Sequence, residues 1–252
     1  MKKLKLLLAS ILALILALGV TACGGNDAFA GDYKQAATEE QVQNLAEKIE
    51  GKTQATDLLC YEMVVKQTLN YDGMKTVTDM KVGVSGTSAT DMKMSGKGNS
   101  KITMQGQTVK GTYNLYMTGG WMYIEMSMAG YTEKYKQEVY DPSAANSAIG
   151  GSSIATQDLA ELIEEGQEIY IDEQADGTTK IKATYKDVVQ GIVVEMTAYF
   201  ILDAEGNTTA IRMTCDTEVE DVVLKIDMTL TAKDVAVSVP DGIATDSSYE
   251  LM

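Results

Sequence analysis

Between residues 58 and 140 apolar and polar side chains alternate with a period of two. Leu59, Tyr61, Met63 and Val65 take odd positions, with Glu62 and Lys66 between them. Such alternation predicts strands with one face covered and the other in water. The pattern recurs in Met80, Val82 and Val84, in Met92 and Met94, and in Ile102 and Met104. It continues through Tyr113, Leu115 and Met117, then Met122, Ile124, Met126 and Met128, and a last strand near 132–138. Asp72-Gly73 and Gly119-Gly120 have hairpin-turn chemistry. The reading is an antiparallel meander of seven short strands, free of proline.

Two segments switch to the helical period. Thr38 and Gln41 form a capping box, Glu39 and Glu40 suit the positive end of the helix dipole, and Val42, Leu45, Ala46 and Ile49 make one apolar stripe ending at Gly51. A second helix is predicted over 157–165, capped by Thr156 or Ser153, with Leu159, Leu162 and Ile163 on one side. It follows a small-residue connection that holds Pro142. Alternation then resumes at Ile169 and Ile171, and at Ile181, Ala183 and Tyr185. Residues 192–202 are nearly all apolar, as in a strand covered on both faces. Ile211, Met213 and Cys215, then Val222, Leu224, Ile226, Met228 and Leu230, complete the sheet, which Pro240-Asp241-Gly242 ends. The fold class expected is mainly β (α+β): a curled antiparallel sheet, or half-open barrel, of about eleven strands with two helices over its concave face. Residues 38–252 form one domain.

The N-terminus changes the setting. Lys2, Lys3 and Lys5 precede an apolar run over 6–20, which as a helix would be about 22 Å long, short of the ~30 Å hydrocarbon core. That layout predicts a signal peptide over 1–22. The stretch Val20-Thr21-Ala22-Cys23 resembles the lipobox of bacterial lipoproteins, which implies acylation of Cys23 and localisation on the extracytoplasmic face of the cell membrane. Residues 24–37 lack periodicity and read, with Cys23, as a lipidated tether (23–37) reaching up to about 50 Å.

Composition narrows the chemistry. The chain has 36 acidic and 21 basic residues and a net charge of −15; loss of the three lysines in 1–22 takes it to −18. This argues against nucleic acid, whose phosphates require clustered basic groups. With no histidine and no C-x-x-C pair, no metal site or cofactor is indicated. Parity puts Cys60 on the polar face and Cys215 on the apolar face, so no disulfide is expected between them. No G-x-S-x-G elbow occurs, and Gly150-Gly151-Ser152-Ser153 lacks the lysine of a P-loop. The acidic pairs Glu39/Glu40 and Glu164/Glu165 and the group Glu218, Glu220 and Asp221 suit a solvated face. No catalytic residue is assigned, and the chain is not read as an enzyme. Tyr123, Tyr170 and Tyr199 suit packing, with a rim role left open.

Methionine is the unusual residue: fifteen in 252. Twelve (Met63, Met80, Met92, Met94, Met104, Met117, Met122, Met126, Met128, Met196, Met213 and Met228) fall on the apolar face by parity. Flexible thioethers specify a unique core poorly and adapt to variable contents. Eleven strands at ~4.8 Å span about 50 Å, more than two helices ~10 Å wide cover without curling. Two readings stand: a core in which methionine is filler, and a cavity lined by these twelve residues under a lid of Leu159, Leu162 and Ile163.

The lipobox, the helix-sheet-helix-sheet order, the stretch FILDAEGNTTAIRMT (200–214) and the closing VSVPDGI (237–243, as a strand) resemble the LolA/LolB-like superfamily, in particular its LppX/LprG-type lipoproteins. The resemblance implies a lipid or other acylated hydrophobic ligand, and transfer of it. The alternative is an envelope interaction module with a filled core, an acidic surface and a protein partner.

Overall fold

A computed structural model describes residues 28–52, 60–71, 73–86, 91–138, 159, 163, 168–189, 192–219 and 222–251. Its centre is a single twelve-stranded sheet. One meander comprises β1 (Tyr61–Tyr71), β2 (Met74–Ser85), β3 (Lys93–Met104), β4 (Gln107–Thr118), β5 (Trp121–Met128) and β6 (Tyr131–Glu138). A second comprises β7 (Glu168–Glu173), β8 (Thr179–Val189), β9 (Ile192–Leu202), β10 (Thr208–Val219) and β11 (Val222–Ala232). The two join where β1 pairs antiparallel with β11, giving the order β12-β6-β5-β4-β3-β2-β1-β11-β10-β9-β8-β7. β12 (Glu250–Leu251) is short and parallel to β6. Among the described residues the sheet does not close: its end strands, β12 and β7, are not paired with each other.

The sheet has twelve strands where about eleven were read from the sequence, and the strand limits differ as well. The alternating runs at 91–95 and 101–104 share one strand, β3, which begins at Lys93, and six strands rather than seven make the first meander. Gly96 and Gly98 lie between the two runs and interrupt the apolar alternation. Their cause is the curl of the wall. A Cβ on Gly98 would lie 2.7 Å from the Asp79 carbonyl oxygen on β2, and one on Gly96 would lie 2.9 Å from Val82 Cγ2. Only a residue without a side chain fits where the strands approach so closely.

The parity of the sequence survives as burial. Residues from all eleven long strands except β6 supply one continuous buried cluster, to which Tyr135 of β6 adds a partly buried edge. Sheet-wide contact of this kind requires the sheet to curl around a shared interior.

α1 (Glu39–Ile49) has the capping box foreseen: the Thr38 side chain accepts from Gln41 N–H, and the Gln41 side chain accepts from Thr38 N–H. It buries Leu45 and Ile49 in the same cluster. Lys48 Nζ donates to Thr179 Oγ1 at 2.7 Å, which fixes α1 at the end of the sheet holding the start of β8. Of the second predicted helix only Leu159 and Ile163 are described; both are helical in conformation and both pack on the cluster, and Leu162 lies outside the described residues.

Two aperiodic segments lie on the outer face. Residues 28–37 are docked rather than free along their length: Ala37 N–H donates to the Ile169 carbonyl, Asp32 N–H to Asp172 Oδ2, and Lys180 Nζ to the Ala30 carbonyl. Phe29 and Tyr33 pack on Tyr199 of β9, which explains why β9 reads as covered on both sides. The C-terminal segment runs from Lys233, past Val235 over Gly83 and Ser238 beside Ser95, to Tyr249 on Tyr123. Residues 237–243 are therefore not a closing strand. They belong to a strap across β2 to β6, with only a short 3-10 turn (Ile243–Thr245) in it.

Candidate ligand-binding face

Cross-strand register arranges the concave face in rows. One row runs Met213 (β10), Met228 (β11), then across β1 at backbone position 65 to Met80 (β2), Gly98 (β3), Tyr113 (β4) and Met126 (β5). Two rows nearer α1 hold Met63 with Val82 and Leu115, and then Val84 with Met94, Met117 and Met122. Ten of the twelve parity-assigned methionines (Met63, Met80, Met92, Met94, Met117, Met122, Met126, Met196, Met213 and Met228) lie buried in the one cluster with Leu45, Ile49 and Leu159. Thioethers therefore meet across the sheet as well as along it, and few rigid rings hold them apart.

Two methionines depart from the expectation. Met104 is 50% exposed at the end of β3, and Met128 is only half-buried at the end of β5. Parity reports the face of a strand and not the distance from its end. Both residues flank hairpin tips, where Val109 and Tyr131 are also exposed. This end of the sheet, opposite α1, presents the apolar side chains.

Electrostatics keep the interior neutral. Among the described residues no charged side chain is buried. Burial pushes the Tyr61 phenol far up from its usual range, and raises that of Tyr113. Neither cysteine forms a disulfide: Cys215 is buried in the cluster and Cys60 lies off it, its thiol donating to the Gly86 carbonyl.

Sequence reading missed a fourth row, one step towards the hairpin tips from the row of Met80 and Tyr113. Gln67 (β1), Thr78 (β2), Ser100 (β3) and Gly111 (β4) are direct cross-strand neighbours on the concave face. The first three are buried polar residues, and Thr76, the next inward residue on β2, is a fourth. The signal was present as polar types at inward parity, but short polar strand residues are ordinary when each is taken alone.

The three tyrosines left open do not form a concave rim. Tyr123 is buried under Tyr249 on the outer face. Tyr199 lies under Phe29, Tyr33 and the Arg212 guanidinium, and Tyr170 lies under Lys182 Nζ at 4.9 Å. Cys23 lies outside the described residues.

No protein-family model matches the chain, and no curated protein does. Among solved structures it is similar to LprF from Mycobacterium bovis, with 17% identity, coverage of 82% of this chain and 99% of that one, and a TM-score of 0.44. It is similar to a β-barrel-like protein from Brucella abortus, with 10% identity, 70% and 99% coverage and a TM-score of 0.29. A domain assigned to outer membrane lipoprotein sorting in Vibrio parahaemolyticus is 10% identical, with 76% and 88% coverage and a TM-score of 0.18.

Proposed function

We propose that the protein is a lipoprotein, anchored through Cys23 to the extracytoplasmic face of the cell membrane, that binds a lipid or other acylated hydrophobe against its methionine face and transfers it. The observation that carries the proposal is the set of ten thioethers on one concave face. A methionine side chain changes shape at low cost, so it can line an occupied or a collapsed interior. Each CH₂ transferred from water to such a lining contributes about 0.8 kcal/mol, and a long acyl chain is then held without any charged contact. Leu159, Leu162 and Ile163 serve as the lid over the bound chain.

One observation favours the second reading, an envelope interaction module with a filled core. Val82, Val84, Met94 and Leu159 have no exposed surface at all. The two readings separate in one experiment. The full chain, produced in a bacterial host and purified in detergent, is extracted with organic solvent and also examined intact by native mass spectrometry. Stoichiometric lipid, or uptake of a fluorescent fatty acid that Met94→Trp and Met126→Trp reduce without unfolding, supports the carrier. Empty protein that takes up no probe supports the module. Cys23→Ala should leave the membrane fraction if the anchor is correct.

A further inference from the structure

We infer that the row Gln67, Thr78 and Ser100, with Thr76 and Tyr113 beside it, is the recognition site for the uncharged polar head of an amphiphile, of the acylglycerol type. The inference rests on the hydrophobe-binding reading above and specifies its ligand. Gln67, Thr76, Thr78, Ser100 and Tyr113 are each at most 5% exposed. Among the described residues, Gln67 Nε2 and the four hydroxyls have no hydrogen-bond partner. Ser100 acts on the Tyr113 phenol, opposing the rise that burial imposes, yet the pair does not reach hydrogen-bond geometry. A sixth such atom, Thr208 Oγ1, lies apart at the other end of the sheet.

Buried polar groups almost always find partners, because an unpaired one costs about 1–3 kcal/mol. Five on four adjacent strands, facing one interior, are therefore not scattered defects. Thr78 lies directly between Gln67 and Ser100 in register, and Thr76 is the next inward residue on β2. Gly111, opposite Ser100, withholds a side chain from the same row.

The chemistry of the five atoms selects the guest. Gln67 Nε2 only donates, and each hydroxyl both donates and accepts, so a head that carries ester carbonyls and hydroxyls satisfies them together. An anionic head does not fit: no buried cation faces it among the described residues, and an unpaired charge in such a site is disfavoured far more than a neutral dipole. The row lies between the thioether rows and the hairpin tips, so acyl chains would extend towards α1 with the head nearer the exposed Met104 and Tyr131 end.

The test compares hexadecane, palmitic acid at neutral pH and monopalmitoylglycerol as probes, using full-length protein in detergent and native mass spectrometry. Wild type should prefer monopalmitoylglycerol to both other probes by at least about tenfold. The triple variant Gln67→Met, Thr78→Val, Ser100→Ala should lose that preference while keeping hexadecane. Equal preference in variant and wild type, or a wild-type preference for palmitate, overturns the polar-head assignment and leaves the carrier reading intact. Failure to bind any probe overturns both. Thr78→Val alone adds a check that needs no ligand: exchange of an unpartnered hydroxyl for a methyl should leave Tm unchanged or raised. A lowered Tm would show that the hydroxyl already has a partner and would overturn the assignment.

Discussion

Tyr249 donates its phenolic proton to Glu125 Oε1 at 2.9 Å, joining the C-terminal strap to the outer face of β5 across 124 residues of sequence. Asn114 Nδ2 holds the other carboxylate oxygen at 3.0 Å, and Lys134 Nζ bridges Glu125 to Asp246 at 3.2 Å each. The Tyr249 ring meets Tyr123 edge-on. Tyr249→Phe keeps the ring contact and removes the hydrogen bond to a charged acceptor, so it should cost about 1 kcal/mol. Hydrogen exchange should increase in the strap, around 235–251, and remain unchanged in β8 to β10.

The same cluster sets an acid response. Asp246 is held down at about 2 by hydrogen bonds from the Ser248 side chain and backbone and by Lys134. Burial alone would raise the Glu125 carboxyl, but hydrogen bonds from Asn114, Tyr249 and Lys134 hold it below its usual range. Depressed carboxylates stabilise the fold fully above their unfolded pKa and lose that contribution as the pH falls through the folded value. The strap should therefore stay closed at neutral pH and loosen between about pH 4 and pH 2. Limited pepsin digestion across that range should cut first after the strap residues; cutting first elsewhere would contradict the assignment.

Arg212 donates from Nε to Asp227 Oδ1 at 2.8 Å and from its terminal nitrogen to Oδ2 at 3.2 Å, with its plane near Tyr199. A lysine cannot reproduce this fork. Arg212→Lys should lower the stability by about 1 kcal/mol in urea and loosen residues 28–37, which pack on the same tyrosine. Proteolysis N-terminal to α1 is the direct readout.

Gly98→Ala should be among the most costly single-methyl additions in the sheet, about 2 kcal/mol. Its Cβ would meet backbone, the Asp79 carbonyl oxygen, which cannot rotate away. The denaturation midpoint should fall with no change in the slope against denaturant.

Ala129 holds φ 52° in the β5–β6 hairpin, where a Cβ is strained. Ala129→Gly relieves it, and since Gly also gains freedom when unfolded, the net effect expected is stabilisation by up to about 1 kcal/mol. A thermal melt checks the direction.

The fold was legible where one rule acted alone. Alternation placed Met94 and Met126 inward and separated Cys60 from Cys215, and the Thr38–Gln41 box marked the start of α1. It failed where a second constraint shared the residue. Gly96 and Gly98 interrupt the apolar alternation, so one strand read as two, because curvature, which no local pattern encodes, required the absence of side chains there. Phe29, Tyr33 and the strap from Lys233 to Tyr249 carry no period, since each crosses strands and touches whatever outer residue it meets. At the candidate site the thioethers were visible through their number. Gln67, Thr78 and Ser100 were not, because only register brings residues 67, 78 and 100 side by side.

The docking of 28–37 has a mechanical consequence. If Cys23 is the lipid anchor, six steps of chain separate it from Phe29, at most about 20 Å when fully stretched. An acylated Cys23 would then hold the β7–β10 half of the sheet close against the bilayer. On that reading so short a step would forbid long excursions, and cargo would be exchanged within the plane of the membrane or with a recipient that comes to it.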